Sequence, residues 1–354
     1  MNAYICPIHK LRTNQLSDYN YTGDLNEPYK WFEYFLQSAS KQNKKYILFQ
    51  EEQEREFHGM GSDEYKQFWT NYNKKLIEHN IEFFIALSGY PKEKKYSFVK
   101  NYSNIKIFNT PLYFLYFLNY RSNNIIDKLS NDIKNIKFNK LFISLNCKSH
   151  HFRCELMDML SEYDLLKYSE YSWLKDSEIA NEFKFKYFDN KYKKLNYDKN
   201  DGWDYYWKDL LYGSPLINLV TESDDLMIGI SEKTCKSILI GQPFIVYSQK
   251  GFHKVLQEFG FELYDEIFDY SFDSLDSPKD RMKGICDNLN NLKDKDLSEL
   301  YNLISYKLEK NKQTALNIIK EKKFIDKEYL NLLLNNKEQF KGEISTFNFF
   351  NLDN

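Results

Sequence analysis

The stretch from Pro215 to Ser248, PLINLVTESDDLMIGISEKTCKSILIGQPFIVYS, constrains the fold of this chain more than any other. Ile217–Val220 is a short apolar run rich in β-branched residues, and Phe244–Tyr247 is another, opened by Pro243 as a strand start tolerates. Between them Ser231 suits a helix N-cap, Cys235, Ile238 and Leu239 share one helical face, and Gly241 marks the stop. Strand, helix and strand in that order make a βαβ unit.

In such a unit the first helical turn lies at the carboxyl ends of the strands, where free N–H groups and the positive end of the helix dipole attract phosphate. Glu232 and Lys233 occupy that turn, and Glu222 ends the preceding strand on the same crevice. Glu232 is placed to accept from a ribose diol and Lys233 to neutralise a phosphate. The same pair also suits a solvated first turn, since acidic residues favour helix starts.

Glu222-Ser223, then Ser231-Glu232-Lys233, an apolar helix, Gly241 and a Pro-led strand together resemble the donor-binding core of the family 10 glycosyltransferases, the α1,3-fucosyltransferases. That family carries an E-N-S segment and a T-E-K helix start at similar spacing. Here Ser223 stands in the place of Asn, Asp224 follows it, and Ser231 replaces Thr. The resemblance covers much of the second half of the chain and almost none of the first. It implies two Rossmann-like domains of the GT-B type and a nucleotide diphosphate sugar as donor, GDP-fucose or a related GDP-sugar being favoured.

At 354 residues the chain suits two domains, each large enough for its own core. A hydrophobic fraction of 42%, with 29 Tyr and 28 Phe among it, excludes a disordered chain. A net charge of -2 argues against a dedicated duplex-binding surface, though not against a local basic groove. The five cysteines, Cys6, Cys147, Cys154, Cys235 and Cys286, form no CxxC pair and read as reduced thiols rather than a disulfide framework or a zinc site. MNAYICPIHKLR lacks the apolar core of a signal peptide, and Pro111–Leu118 is too short to span a bilayer. A cytoplasmic protein follows, resembling the soluble microbial or viral members of the family.

Taken in order, Trp31, Phe32, Tyr34 and Phe35 predict a helix after Pro28, Lys45–Gln50 a strand, Asp63–Ile77 a helix, and Ile81–Leu87 and Ile105–Phe108 two more strands. That alternation is an open α/β domain. The first of these strands runs into Glu51 and Glu52, followed by His58 and Asp63. An inverting transfer needs a group that takes the proton of the acceptor hydroxyl. Glu51 and Glu52 are the best-placed carboxylates for it, although surface glutamates opening a loop read the same way.

Residues 121–139 are polar, poor in aromatics, and read as a boundary. Lys140–Leu145 then forms a strand, followed by Asn146, Lys148, the pair His150-His151, Arg153, and a helix through Leu156, Met159 and Leu160. Cations beside a strand end and a helix start suit a pyrophosphate, with Arg153 as anion clamp; a solvated basic turn is the alternative. The resembled family likewise opens its second domain with a strand, an S-N segment and a helical Arg that contacts the donor diphosphate, loosely matched by Ser144, Asn146 and Arg153. Adjacent histidines seldom ligate one ion, so no metal site is expected. No D-x-D pair stands at a strand end, which favours metal-independent chemistry and no cofactor.

Residues 163–214 crowd Trp173, Trp203, Trp207 and many tyrosines into a Lys- and Asp-rich segment, read as a loop-rich insertion with one strand at Phe183–Phe188. Phe252–Phe259 predicts a helix stopped by Gly260, then a strand opening at Phe261, and residues 281–319 a long amphipathic helix. The expected organisation is an acceptor-binding α/β domain over 1–130, a donor-binding α/β domain over 139–310 and a helical tail over 311–354. The expected donor-binding set is Asn146, Lys148, Arg153, Glu222, Ser231, Glu232 and Lys233, with a glycan or other hydroxyl as acceptor and no membrane span. The rivals are a transferase acting on a hydroxylated nucleic-acid base and a non-catalytic nucleotide-sugar-binding or interaction protein.

Overall fold

A computed structural model describes residues 3–5, 28–50, 63–87, 90–91, 101–109, 125–146, 150–173, 182–191, 193, 195, 211–212, 214–222, 227–321, 323 and 326–335. The elements are, in chain order, β1 (Ala3–Ile5), α1 (Pro28–Lys41), β2 (Tyr46–Gln50), α2 (Asp63–Glu78), β3 (Glu82–Leu87), β4 (Tyr90–Pro91) and β5 (Ile105–Asn109). They continue with α3 (Ile125–Lys134), β6 (Lys140–Asn146), α4 (His151–Glu162), β7 (Ser169–Trp173), β8 (Pro215–Thr221), β9 (Met227–Ile228), α5 (Glu232–Ile240) and β10 (Phe244–Tyr247). The last are α6 (Phe252–Glu258), α7 (Pro278–Leu292), α8 (Leu297–Glu321) and α9 (Lys327–Asn335). No helix among the described residues is long and apolar enough to cross a membrane.

The chain divides into two compact units. The first comprises Met1–Asn119, Leu226–Gly229 and Lys322–Asn354, and the second Tyr120–Asp225 and Ile230–Glu321. Each contains a four-stranded parallel sheet with helices, so the α/β class holds.

In the first unit the sheet runs β1-β2-β3-β5, a single direction of travel. Right-handed crossovers that all step the same way lay their helices on one face. Phe32 of α1, Phe68, Trp69 and Tyr72 of α2, and Phe83 of β3 accordingly form one aromatic cluster, with ring centroids 5.0 to 6.1 Å apart between Phe32 or Trp69 and their neighbours in it. Tyr72 closes it by donating its hydroxyl to the Phe32 carbonyl at 2.8 Å. On the other face Phe84 stacks on Phe108, and Phe108 on Tyr329 of α9. Strand alternation sends Phe83 and Phe84 to opposite faces.

In the second unit the order is β10-β8-β6-β7. The chain steps from β6 out to β7, returns across β6 to β8, and continues to β10. Crossovers that step in opposite directions lie on opposite faces. Helix α4, after β6, packs with α7, whereas α5, after β8, packs against α3 and α8. Every residue of β8 is buried, as a strand covered on both faces requires. Helix α5 is also buried from Thr234 to Ile240, held between the sheet and those two helices.

Several expectations need correction. The run Phe183–Phe188 is not a strand. The N–H groups of Lys186, Tyr187 and Phe188 converge on the Asp158 carboxylate at 2.7 to 2.9 Å, which curls this stretch instead of pairing it. The strand in that region is β7, earlier in the chain, and no strand opens at Phe261. The helix expected over 281–319 is two, α7 and α8. Ser277 caps the first, with Pro278 at its first position. Asp296 opens the second by accepting from Ser298 and Glu299 N–H at 2.8 and 3.0 Å. Helix α3 belongs to the second unit, where Lys312 of α8 bonds Ser130 at 3.0 Å and pairs with Asp127, and α9 groups with the first.

Candidate functional site

The second sheet reverses its strand order between β6 and β8, and open parallel sheets bind ligands at the carboxyl ends flanking such a point. Asn146 ends β6 and is 2% exposed. Its N–H donates to Ser172 Oγ of β7 at 3.0 Å and its Nδ2 to Ser144 Oγ at 3.1 Å. Asn146 therefore ties the end of β6 to its neighbour. Arg153, in the first turn of α4 and 4% exposed, donates from Nη2 to the Thr221 carbonyl at 3.1 Å. A guanidinium reaches across from β6's helix to the last residue of β8, where a charge-assisted bond satisfies a strand-end carbonyl. His150 opens α4 without a side-chain cap.

Glu222 follows directly and is 3% exposed. Its Oε1 accepts from the Ser231 N–H at 3.0 Å and from the Thr234 hydroxyl at 2.8 Å. Ser231 has the extended backbone of an N-cap, and its Oγ accepts from the Lys233 N–H at 3.2 Å. At the other end Gly241 adopts φ 75°, the left-handed conformation glycine permits, and ends α5. Asn218 of β8 donates to Ser237 Oγ of α5 at 2.7 Å, pinning helix to sheet. The turn Ser231–Lys233 is thus held at the mouth of β8 by two buried bonds to Glu222 and by the Ser231 cap.

Of the expected donor residues, Asn146, Arg153, Glu222, Ser231 and Lys233 lie at the carboxyl ends of β6 and β8 or on the helices that follow them. Lys148, Glu51 and Glu52 lie outside the described residues, and so does the side chain of Glu232. The described set differs from expectation in how its charges are used. Arg153 and Glu222 were expected to face a ligand, yet both engage the sheet and helix that surround them. Thr221, Thr234 and Ser172 were not anticipated, because each matters through a partner distant in sequence.

His151 pairs with Glu155 one turn on, Nε2 to Oε1 3.1 Å, rather than with its neighbour His150. Among the described residues no group of three or more His, Cys, Asp and Glu is arranged to hold a metal ion. A groove of about 1020 Å³ opens elsewhere in the second unit, along Phe261, Glu262, Asp265, Asp269, Tyr270 and Lys307. None of the expected site residues lines it.

A second buried carboxylate acts on the turn after β10. Gly251, at the N-cap of α6, has φ 84° and no side chain to cap with. Asp273 supplies the cap from outside the helix: Oδ2 accepts from the His253 N–H at 3.1 Å and Oδ1 bonds His253 Nδ1 at 2.9 Å. The His253 ring is 1% exposed and packs among Phe252, Tyr270 and Phe272. No protein-family model, curated protein or solved structure matches this chain.

Proposed function

We propose that the chain is a glycosyltransferase of the GT-B type, moving a fucose-like sugar from a nucleotide diphosphate sugar to an acceptor hydroxyl. In this reading both units are Rossmann-like domains, the second holds the donor and the first receives the acceptor. The observation that carries it is the strand order β10-β8-β6-β7, because parallel sheets of this kind take nucleotides outside the strand ends where the order reverses. Lys233 and the first turn of α5 attract the diphosphate, with Arg153 and Lys148 adding positive charge. The acceptor oxygen attacks the anomeric carbon, the bond to the diphosphate breaks with inversion, and Glu51 or Glu52 takes the hydroxyl proton. The cations stabilise the departing diphosphate, which makes the reaction metal-independent.

Thermal denaturation with GDP, UDP, ADP and CMP, with and without a divalent cation, tests the reading on the wild type and on Lys233→Ala. A ligand at about 100 times its Kd stabilises the folded state by roughly 2.7 kcal/mol, a rise of roughly 5–11 °C for a domain of about 200 residues. The expected result is a shift with GDP that exceeds the others, is independent of the cation, and shrinks in Lys233→Ala. No shift with any nucleotide would refute the proposal.

A further inference from the structure

In a capping box the N-cap side chain accepts from a first-turn N–H, while a Glu or Gln at the third helical position accepts from the N–H of the N-cap itself. Helix α5 has a variant of the first half, Ser231 Oγ taking the N–H of Lys233 at the second helical position rather than the third. Its third position is Thr234, whose side chain has no carboxylate or amide to close the box. The N-cap N–H goes instead to Glu222 Oε1, nine residues earlier in the chain, and the Thr234 hydroxyl donates to that same oxygen. Ser231, Thr234 and Glu222 are 8%, 0% and 3% exposed, so the two bonds to Glu222 are made away from solvent.

We infer that Glu222 is a positioning residue: it completes the capping box of α5 from the end of β8 and fixes the Ser231–Lys233 turn, rather than touching the ligand. The inference rests on the nucleotide reading above and changes the part Glu222 plays in it. A ribose hydroxyl approaching Oε1 would have to compete with two buried donors already within 3.0 Å. Breaking either bond would leave a buried polar group unsatisfied, which is costly. Closing the box needs an acceptor oxygen, not a negative charge, as the use of both Glu and Gln at this position shows.

Titration calorimetry with GDP on Glu222→Gln, Glu222→Ala, Thr234→Ser and Thr234→Val tests this, together with amide hydrogen exchange over residues 231–234. Glu222→Gln is expected to bind at least tenfold tighter than Glu222→Ala, and Thr234→Ser at least threefold tighter than Thr234→Val. The Ser231 amide is expected to exchange at least tenfold faster in Glu222→Ala than in Glu222→Gln. Equal loss of affinity in Glu222→Gln and Glu222→Ala would mean that a ligand needs the charge, and would overturn the assignment. The threonine pair removes a single bond, and equal affinity in Thr234→Ser and Thr234→Val would overturn the assignment even where Glu222→Ala does not fold. A wild type that binds no nucleotide would refute the transferase reading instead, and Ser231 exchange alike in the two Glu222 variants would then overturn the clamp separately.

Discussion

Replacing Asp273 by Ala removes the cap of α6 and the only acceptor given to His253 Nδ1 among the described contacts. A lost helix cap costs about 1 kcal/mol. A buried donor left without its partner adds about 1–3 kcal/mol. The His253 ring, 1% exposed and enclosed by Phe252, Tyr270 and Phe272, has little access to replacement water. The sum is about 2–4 kcal/mol, or roughly 5–15 °C in Tm for a domain of this size. Urea denaturation followed by fluorescence reads it as a lower midpoint at unchanged m. Asp273→Asn keeps one acceptor oxygen and is expected to fall between wild type and Asp273→Ala. Combining Asp273→Ala with His253→Leu tests the pairing itself. Once the ring no longer presents Nδ1, the carboxylate matters only as a cap, and the double variant loses about 1 kcal/mol less than the sum of the singles. A loss below about 1 kcal/mol for Asp273→Ala, or strict additivity in the double variant, would refute the reasoning.

Lys307, 9% exposed, donates to the Leu263 carbonyl and pairs with Asp265 and Glu266. Burial draws its pKa down, but the bonds to Asp265 and Glu266 outweigh that and leave it above the ordinary 10.5. Its contribution is complete below the unfolded value and is lost as pH rises through the folded one. Lys307→Met is therefore expected to cost about 2 kcal/mol at neutral pH, in urea denaturation. Above pH 10.5 the gap should narrow; a constant gap up to strongly alkaline pH contradicts this. Gly284→Ala would put a Cβ 2.4 Å from Phe272 Cβ. Overpacking of about 1–3 kcal/mol exceeds the helix-propensity gain of about 1 kcal/mol, so the variant should melt lower, and a higher Tm would contradict the packing. Cys154 and Cys286 are fully buried, and burial pushes the Cys154 thiol up to about 11 and that of Cys286 higher still. Iodoacetamide at mildly alkaline pH should leave both unlabelled in the native protein and label both in urea, read by peptide mass spectrometry.

The elements with a strong internal period were legible in the sequence. Ile217–Val220 and Phe244–Tyr247 became the cores of β8 and β10, and α5 runs from Glu232 to Ile240 with Gly241 in the left-handed conformation. These signals are local, because side-chain chemistry and backbone preference coincide within a few residues. The capping signals at Ser277-Pro278 and Asp296-Leu-Ser-Glu299 were equally local, and reading them would have divided the long C-terminal helix correctly. Phe183–Phe188 failed for another reason. Its aromatic residues at alternate positions imitate a strand, while the acceptor of its N–H groups, Asp158, lies on α4 about one helix and one strand earlier. No window along the chain contains both.

The candidate site meets the same obstacle in a sharper form. A helix N-terminus draws any anion by its unsatisfied N–H groups and its dipole, whether that anion is a ligand's phosphate or one of the protein's own carboxylates. A sequence with Glu222 at a strand end and Ser231-Glu232-Lys233 at the next helix start satisfies both cases. The 3.0 Å bond from the Ser231 N–H to Glu222 Oε1 assigns Glu222 to the internal case. Asp273, accepting from the first turn of α6 although it lies outside that helix, repeats the arrangement two elements later. In both places the helix that follows a strand of the second sheet is capped by an acid from outside the helix. Both turns are held by hydrogen bonds to the protein's own acids. Lys233 is carried on the first of those turns, and under the proposed reading it is one of the charges offered to a phosphate, which is why its substitution tests that reading.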